Sequence, residues 1–178
     1  METVNTLDSK KKKKNSPLFM ALMSVGYELV VILFGYLLLH ALVFGMYRIR
    51  DNAMEPAVKE GDLVIFYRLD KEYRVDDPIT LQADGTIMIR RVAGVAGDTI
   101  DFKDGVLIRN GVPQAEKGVY EKTEQFTEGP EFPLTVPDGF VFVMGDAREH
   151  SLDSRIFGCV KISDTYGTVV TVFRRRNI

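Results

Sequence analysis

Residues 104–111 read Asp-Gly-Val-Leu-Ile-Arg-Asn-Gly. An Asp-Gly and an Asn-Gly pair enclose four residues that favour extended backbone. Such pairs supply the positive φ angles of tight hairpin turns, so the stretch predicts one short strand, Val106–Arg109, between two reversals. A chain that reverses twice within so few residues builds an antiparallel meander.

The same pattern continues in both directions. DLVIFYRL (62–69), TIMIRRVAGV (86–95), TIDFK (99–103), FVFVMGD (140–146) and TVVTVFRRR (168–176) are short and rich in Val, Ile, Phe and Thr. Turn signals recur at Glu60-Gly61-Asp62, Asp84-Gly85, Gly97-Asp98 and Asp138-Gly139. After Asp51 no longer helical apolar stripe occurs, save a turn around Ser151–Arg155. Residues 114–133 are polar, acidic and irregular, which predicts a surface excursion. The expected architecture for residues 48–178 is therefore all-β and antiparallel, without a repeat or a second domain.

The N-terminal part obeys a different rule. Residues 29–47 read LVVILFGYLLLHALVFGMY, with no formal charge when His40 is neutral. A helix of about 20 residues crosses a hydrocarbon layer of about 30 Å. The weaker apolar stretch Leu18–Tyr27 precedes it, so residues 18–47 are expected to form one transmembrane anchor, with Tyr36 and Tyr47 suited to the interfaces. A cleaved signal peptide needs a shorter apolar core and a small-residue cleavage site, and LVFGMYRIR offers none. A buried helix of a soluble protein would not be apolar on every face. Glu28 and His40 are twelve residues apart, only loosely on one helix face, and are not expected to pair.

Five lysines, Lys10 to Lys14, lie before the anchor within the tail of residues 1–17, and Arg48 and Arg50 follow it. Bases stay on the cytoplasmic side, so the N-terminus is expected inside and the β domain outside the cell membrane. The tail is also suited to anionic lipid. The chain of 178 residues has a formal charge of −2, but residues 1–50 carry +4 and residues 51–178 carry −6. An outward domain of that sign excludes nucleic acid as a partner. Hydrophobic residues at 46% exclude a disordered chain, and one cysteine excludes an internal disulfide. No zinc, phosphate-loop or dinucleotide motif occurs, so no metal and no cofactor are expected. Cys159, in Phe157-Gly-Cys-Val160, reads as a small core residue.

Four segments in order carry a resemblance: Asn52-Ala-Met-Glu-Pro56, Ile89-Arg-Arg-Val-Ala-Gly-Val-Ala-Gly-Asp98, Val136-Pro-Asp-Gly-Phe-Val-Phe-Val-Met-Gly-Asp-Ala-Arg148, and Ser151-Leu-Asp-Ser-Arg-Ile-Phe-Gly158. With the preceding anchor, the chain resembles a bacterial type I signal peptidase of the Gram-positive kind. The resemblance implies a signal peptidase-like β fold docked on the outer membrane face, and an exported segment bound extended along a strand.

In that family a Ser-Met-x-Pro serine is the nucleophile, and a lysine before Arg-Val-x-Gly is the general base. The corresponding residues here are Ala53 and Arg90. A methyl group cannot attack a carbonyl, and guanidinium offers only donors and no acceptor for a proton. Asp51 stands two residues before Ala53, beside the family's oxyanion hole, where a carboxylate would repel developing negative charge. The resemblance gives Ser151 a hydrogen bond to the base, and makes Asp153 and Arg155 an ion pair that holds the site. Arg90 in a lysine's place would seek a carboxylate, and Asp51 is the expected partner.

The family's Thr, Pro and Asn are also replaced, by Ala57, Ala96 and Ala147, which a designed knock-out would have kept. The expectation is a natural, catalytically inactive homologue that binds exported precursors. Met54, Pro56, Met88 and Ile89 would line its groove. The family has dyad-lacking members tied to pilus assembly, which implies pilins as clients and a sortase or translocase as a neighbour. The contrasting expectation is an active serine endopeptidase that removes signal peptides; a third is a scaffold that does not use its groove.

Overall fold

The computed structural model describes residues 17–83, 85–116 and 118–174. The lysine run and Asp84 lie outside the described residues. The chain divides into two compact units, one up to His40 and the other from Ala41 onward.

The first unit is the body of helix α1, Pro17–Val43. Its 27 residues bury nothing within the protein, and its length and composition suffice to cross a membrane. At 1.5 Å per residue it is about 40 Å long, more than the hydrocarbon layer requires. The Tyr36 and His40 rings lie one turn apart, with centroids at 5.9 Å.

The anchor ends four residues earlier than the apolar run does. Strand β1, Phe44–Arg48, follows Val43 directly and pairs antiparallel with β2, Leu63–Tyr67. Phe, Tyr and Met suit a strand as well as they suit lipid, so hydropathy alone could not find the change. Gly45 marks it: a β-carbon there would collide with the Phe66 ring across the pair.

Strands β3 (Pro78–Ala83), β4 (Thr86–Val95), β9 (Phe140–Met144), β10 (Val160–Lys161) and β11 (Thr165–Phe173) complete a seven-stranded sheet in the order β1-β2-β11-β3-β4-β9-β10. A second sheet has the order β7-β6-β5-β8, from β5 (Thr99–Lys103), β6 (Val106–Arg109), β7 (Val112–Pro113) and β8 (Leu134–Thr135). All strand pairs are antiparallel. The meander expected around residues 104–111 is there. Asp104, Gly105, Asn110 and Gly111 all have φ between 54° and 78°, and β6 lies between the two turns.

Three buried apolar clusters hold the unit. One gathers Ile79, Leu81, Met88, Val92, Val141 and Val143 beneath β3, β4 and β9. A second joins Ala93, Phe142 and Met144 to Ile100 and Leu107 of the smaller sheet. A third sets Ile49, Met54 and Val58 against Val64 and Ile89. Strand β4 contributes to all three, so its middle is covered on both faces, and there Arg90 is 2% exposed.

Candidate functional site

The segment after β1 returns on itself before β2. Ile49 N–H donates to the Asp62 carbonyl at 2.9 Å, and Gly61 N–H donates to the Ile49 carbonyl at 3.0 Å. Within this loop Glu55 N–H donates to Asn52 O and Val58 N–H to Met54 O. The tight winding drops Met54 and Val58 into the third cluster and leaves Ala53 2% exposed, while Pro56 stays outside.

Arg90 crosses toward this loop. Its Nη2 donates to Asp51 Oδ2 at 3.1 Å, forming the expected ion pair. Its Nε donates to the Leu152 carbonyl at 2.8 Å, and Nη1 to its neighbour's carbonyl, Ile89 O, at 2.5 Å. The guanidinium is buried, whereas the Asp51 side chain is 42% exposed. Arg91, next along the strand, makes a two-pronged pair with Asp146 at 2.8 and 2.6 Å. That hydrogen-bonded carboxylate raises the Arg91 pKa above its ordinary value, against the opposing effect of burial.

Ala53 meets the loop that follows β9. Its carbonyl accepts from Ala147 N–H at 3.0 Å. Gly145 lies so close that a β-carbon on it would strike the Ala53 carbonyl oxygen and Ser151 Oγ. Ser151 is 3% exposed, and its hydroxyl has no hydrogen-bond partner among the described residues. Asp153 caps the one-turn helix α2, Ser154–Phe157, by accepting from Arg155 N–H, and its other oxygen accepts from Gly145 N–H at 3.0 Å. Arg155 closes the arrangement through Nε and Nη2 on the same carboxylate. Asp153 and Arg155, at 0% and 1% exposed, are the structural ion pair expected from sequence.

The excursion of residues 114–133 does more than cover the surface. Arg148, 1% exposed, donates from Nε to Gly145 O, and from Nη1 and Nη2 to the Glu116 carboxylate at 2.6 Å each. Thr123 Oγ1 also accepts from Arg148 Nη1. The Arg155 guanidinium lies over the Phe126 ring, and Gly129 abuts the Arg155 carbonyl so closely that it has no room for a side chain. Sequence reasoning missed this clamp. Its one signal was two arginines, Arg148 and Arg155, in a short segment that had to be buried beside β9; nothing marked Glu116 or Thr123 as their partners.

Beside Ala53 opens a cleft of about 500 Å³, lined by Asn52, Glu55 and Pro56 on one side, and by Tyr120, Glu121, Ala147 and His150 on the other. Of the four residues expected to line a groove, Pro56 lies on this cleft. Met54, Met88 and Ile89 are core side chains, at 1%, 3% and 1% exposed. The structure thus brings together Asp51, Ala53, Arg90, Ser151, Asp153 and Arg155. It sets Met88 and Ile89 in two different apolar clusters.

The profile of the family described as "Signal peptidase, peptidase S26" matches residues 22–174, and the chain belongs to that family. Signal peptidase I of Bacillus caldolyticus is 32% identical over 145 residues, covering 74% of this chain and 80% of that protein. Signal peptidase I of Bacillus licheniformis is 30% identical over 130 residues, covering 67% of this chain and 70% of its own length. A crystal structure of a signal peptidase I from Enterococcus faecalis aligns with a TM-score of 0.47 at 30% identity, over 56% of this chain and 97% of that one. Family membership together with helix α1 indicates a membrane-anchored protein.

Proposed function

We propose that this chain is a membrane-anchored signal peptidase homologue that holds exported precursor segments without cutting them. The observation that carries the reading is the Asp51–Arg90 pair beside Ala53. Ala53 offers a methyl where peptide hydrolysis needs an oxygen nucleophile. Arg90 offers only donors, one from each nitrogen already given to an oxygen, where a base needs a lone pair. Ser151 has a buried hydroxyl but no described base beside it. Removing one member of a catalytic serine unit costs about 10⁶-fold in rate in other serine proteases.

What remains is suited to binding. A backbone hydrogen bond ties Ala53 to Ala147, and Asp153 holds Gly145 N–H beside them, while the cleft next to this frame is open. In this reading α1 crosses the cell membrane with the lysine tail in the cytoplasm and the β unit outside. The clients are exported precursors, pilins among them, presented to a neighbouring sortase or translocase. Pro56 on one side of the cleft and Ala147 on the other would contact an extended segment, along with the backbone of the cleft rim.

The test is cleavage of a signal peptide-bearing precursor by purified full-length chain in lipid vesicles. The native chain is expected to bind and not to cleave. Asp51→Gly with Ala53→Ser and Arg90→Lys is expected to cleave. Cleavage by the native chain, unaffected by Ser151→Ala, would sink the proposal and favour an active endopeptidase. Maleimide labelling of a cysteine introduced before Lys10, against one on the exposed Tyr120 position, checks the orientation.

A further inference from the structure

The guanidinium of Arg90 is incompletely used. The described contacts take one hydrogen from each of its three nitrogens: Nε to Leu152 O, Nη1 to Ile89 O and Nη2 to Asp51. A guanidinium carries five N–H groups, so two have no acceptor among the described residues. Its one carboxylate partner among the described residues is Asp51, 42% exposed, which accepts a single bond at 3.1 Å. The other arginines around the site are engaged differently. Arg91, Arg148 and Arg155 each hold a carboxylate with two nitrogens.

A second observation falls beside the first. Ser151, adjacent to the Leu152 carbonyl that Arg90 holds, has a buried hydroxyl with no partner among the described residues. A buried hydroxyl left unpaired destabilises the fold, and a ligand oxygen would relieve it. It stands against Gly145 and the Ala53 carbonyl, at the rim of the loop whose next residues line the cleft. A buried guanidinium with two unused N–H groups, a half-exposed carboxylate over it and an unpaired hydroxyl nearby call for one kind of visitor, a planar anion with two oxygens that takes the place of Asp51.

We propose that Arg90 is a receptor for a peptide carboxylate, which displaces Asp51 and takes the two-pronged geometry that Asp51 does not achieve. The proposal rests on the reading that the cleft holds exported peptides. It changes the meaning of Arg90: the residue that cannot act as a base selects peptides by charge. No covalent step is involved. Asp51 acts as a tethered competitor, keeping the guanidinium paired while the cleft is empty. The carboxylate comes either from a free peptide C-terminus or from an acidic side chain within the segment.

Fluorescence anisotropy with the full chain in lipid vesicles tests this, using a fluorescein-labelled probe ending in Ala-Leu-Ala. Three forms are compared: free carboxylate, C-terminal amide, and amide with one internal Asp. The free-acid or the Asp form is expected to bind about ten-fold more tightly than the plain amide, the value of one charge-assisted pair, and whichever does identifies the source. Arg90→Gln is expected to erase the difference. Asp51→Asn, which keeps the shape of an exposed side chain and is safe for folding, is expected to tighten carboxylate binding several-fold and leave the amide unchanged. Equal binding of all three forms, or an Asp51→Asn variant without effect, overturns the carboxylate receptor and leaves the peptide-holding reading intact. No binding of any form overturns both.

Discussion

Cys159 shows how a single residue reports on its surroundings. Burial pushes its thiol up to about 11 from an ordinary value near 9. A thiolate is the reactive form, so a disulfide reagent at pH 8 is expected to label Cys159 slowly in the native protein and rapidly after unfolding. Because the folded value is raised, its contribution to stability is complete below pH 9 and is lost as pH rises toward 11. Tyr73 adds in the same direction, because burial raises its pKa while its hydrogen bond to Thr165 opposes that shift. Thermal melts between pH 8 and 11 check the sign; rising stability across that range would refute it. Asp153 is the opposite case, a charge that cannot be spared. Asp153→Asn removes half of a fully buried pair and weakens the bond to Gly145 N–H, so a loss of about 3–5 kcal/mol is expected in denaturant titration.

At the scale of elements, the 114–133 segment turns on Glu116. Glu116→Gln leaves the 1%-exposed Arg148 without its carboxylate, and a loss of about 2 kcal/mol is expected, with faster limited proteolysis within the segment. A melt unchanged from the native chain, with unchanged proteolysis, would show that Thr123 and Gly145 suffice to hold Arg148.

The strands themselves were the legible part. Residues 86–95 and 99–103 were bounded correctly because alternation and glycine turns are local signals. The strand Pro78–Ala83 was not, since its six residues begin at a proline and lack a marked apolar face in sequence. Phe44–Arg48 was hidden because its composition is equally at home in lipid. The pairing of Asp51 with Arg90 was legible because the family resemblance set the two positions together and charge chemistry then paired them. The burial of Met54, Met88 and Ile89 was not, because it comes from tertiary packing: β4 is covered on both faces, and the loop after β1 winds Met54 inward. Clamps such as Glu116 to Arg148 span 32 positions and follow from packing that no local pattern records.

At the scale of the molecule, the sheet order decides what must be present for the β unit to exist. Strand β11 lies between β2 and β3 and pairs with both. A chain stopped before Thr165 is expected to lose cooperative unfolding altogether, rather than fray at one edge. Circular dichroism melts of the full chain and of that truncation make the comparison; a sharp transition in the truncated chain would contradict it. Between the completion of Ala83 and that of Phe173, the facing edges of β2 and β3 have no partner. At ordinary ribosomal speeds of about 5–20 residues per second that interval is on the order of ten seconds. Throughout it, two strands' worth of unpaired amides and carbonyls stand open to any other nascent segment. Biogenesis of this protein therefore has a timed vulnerability, because those edges stay open to mispairing until β11 arrives.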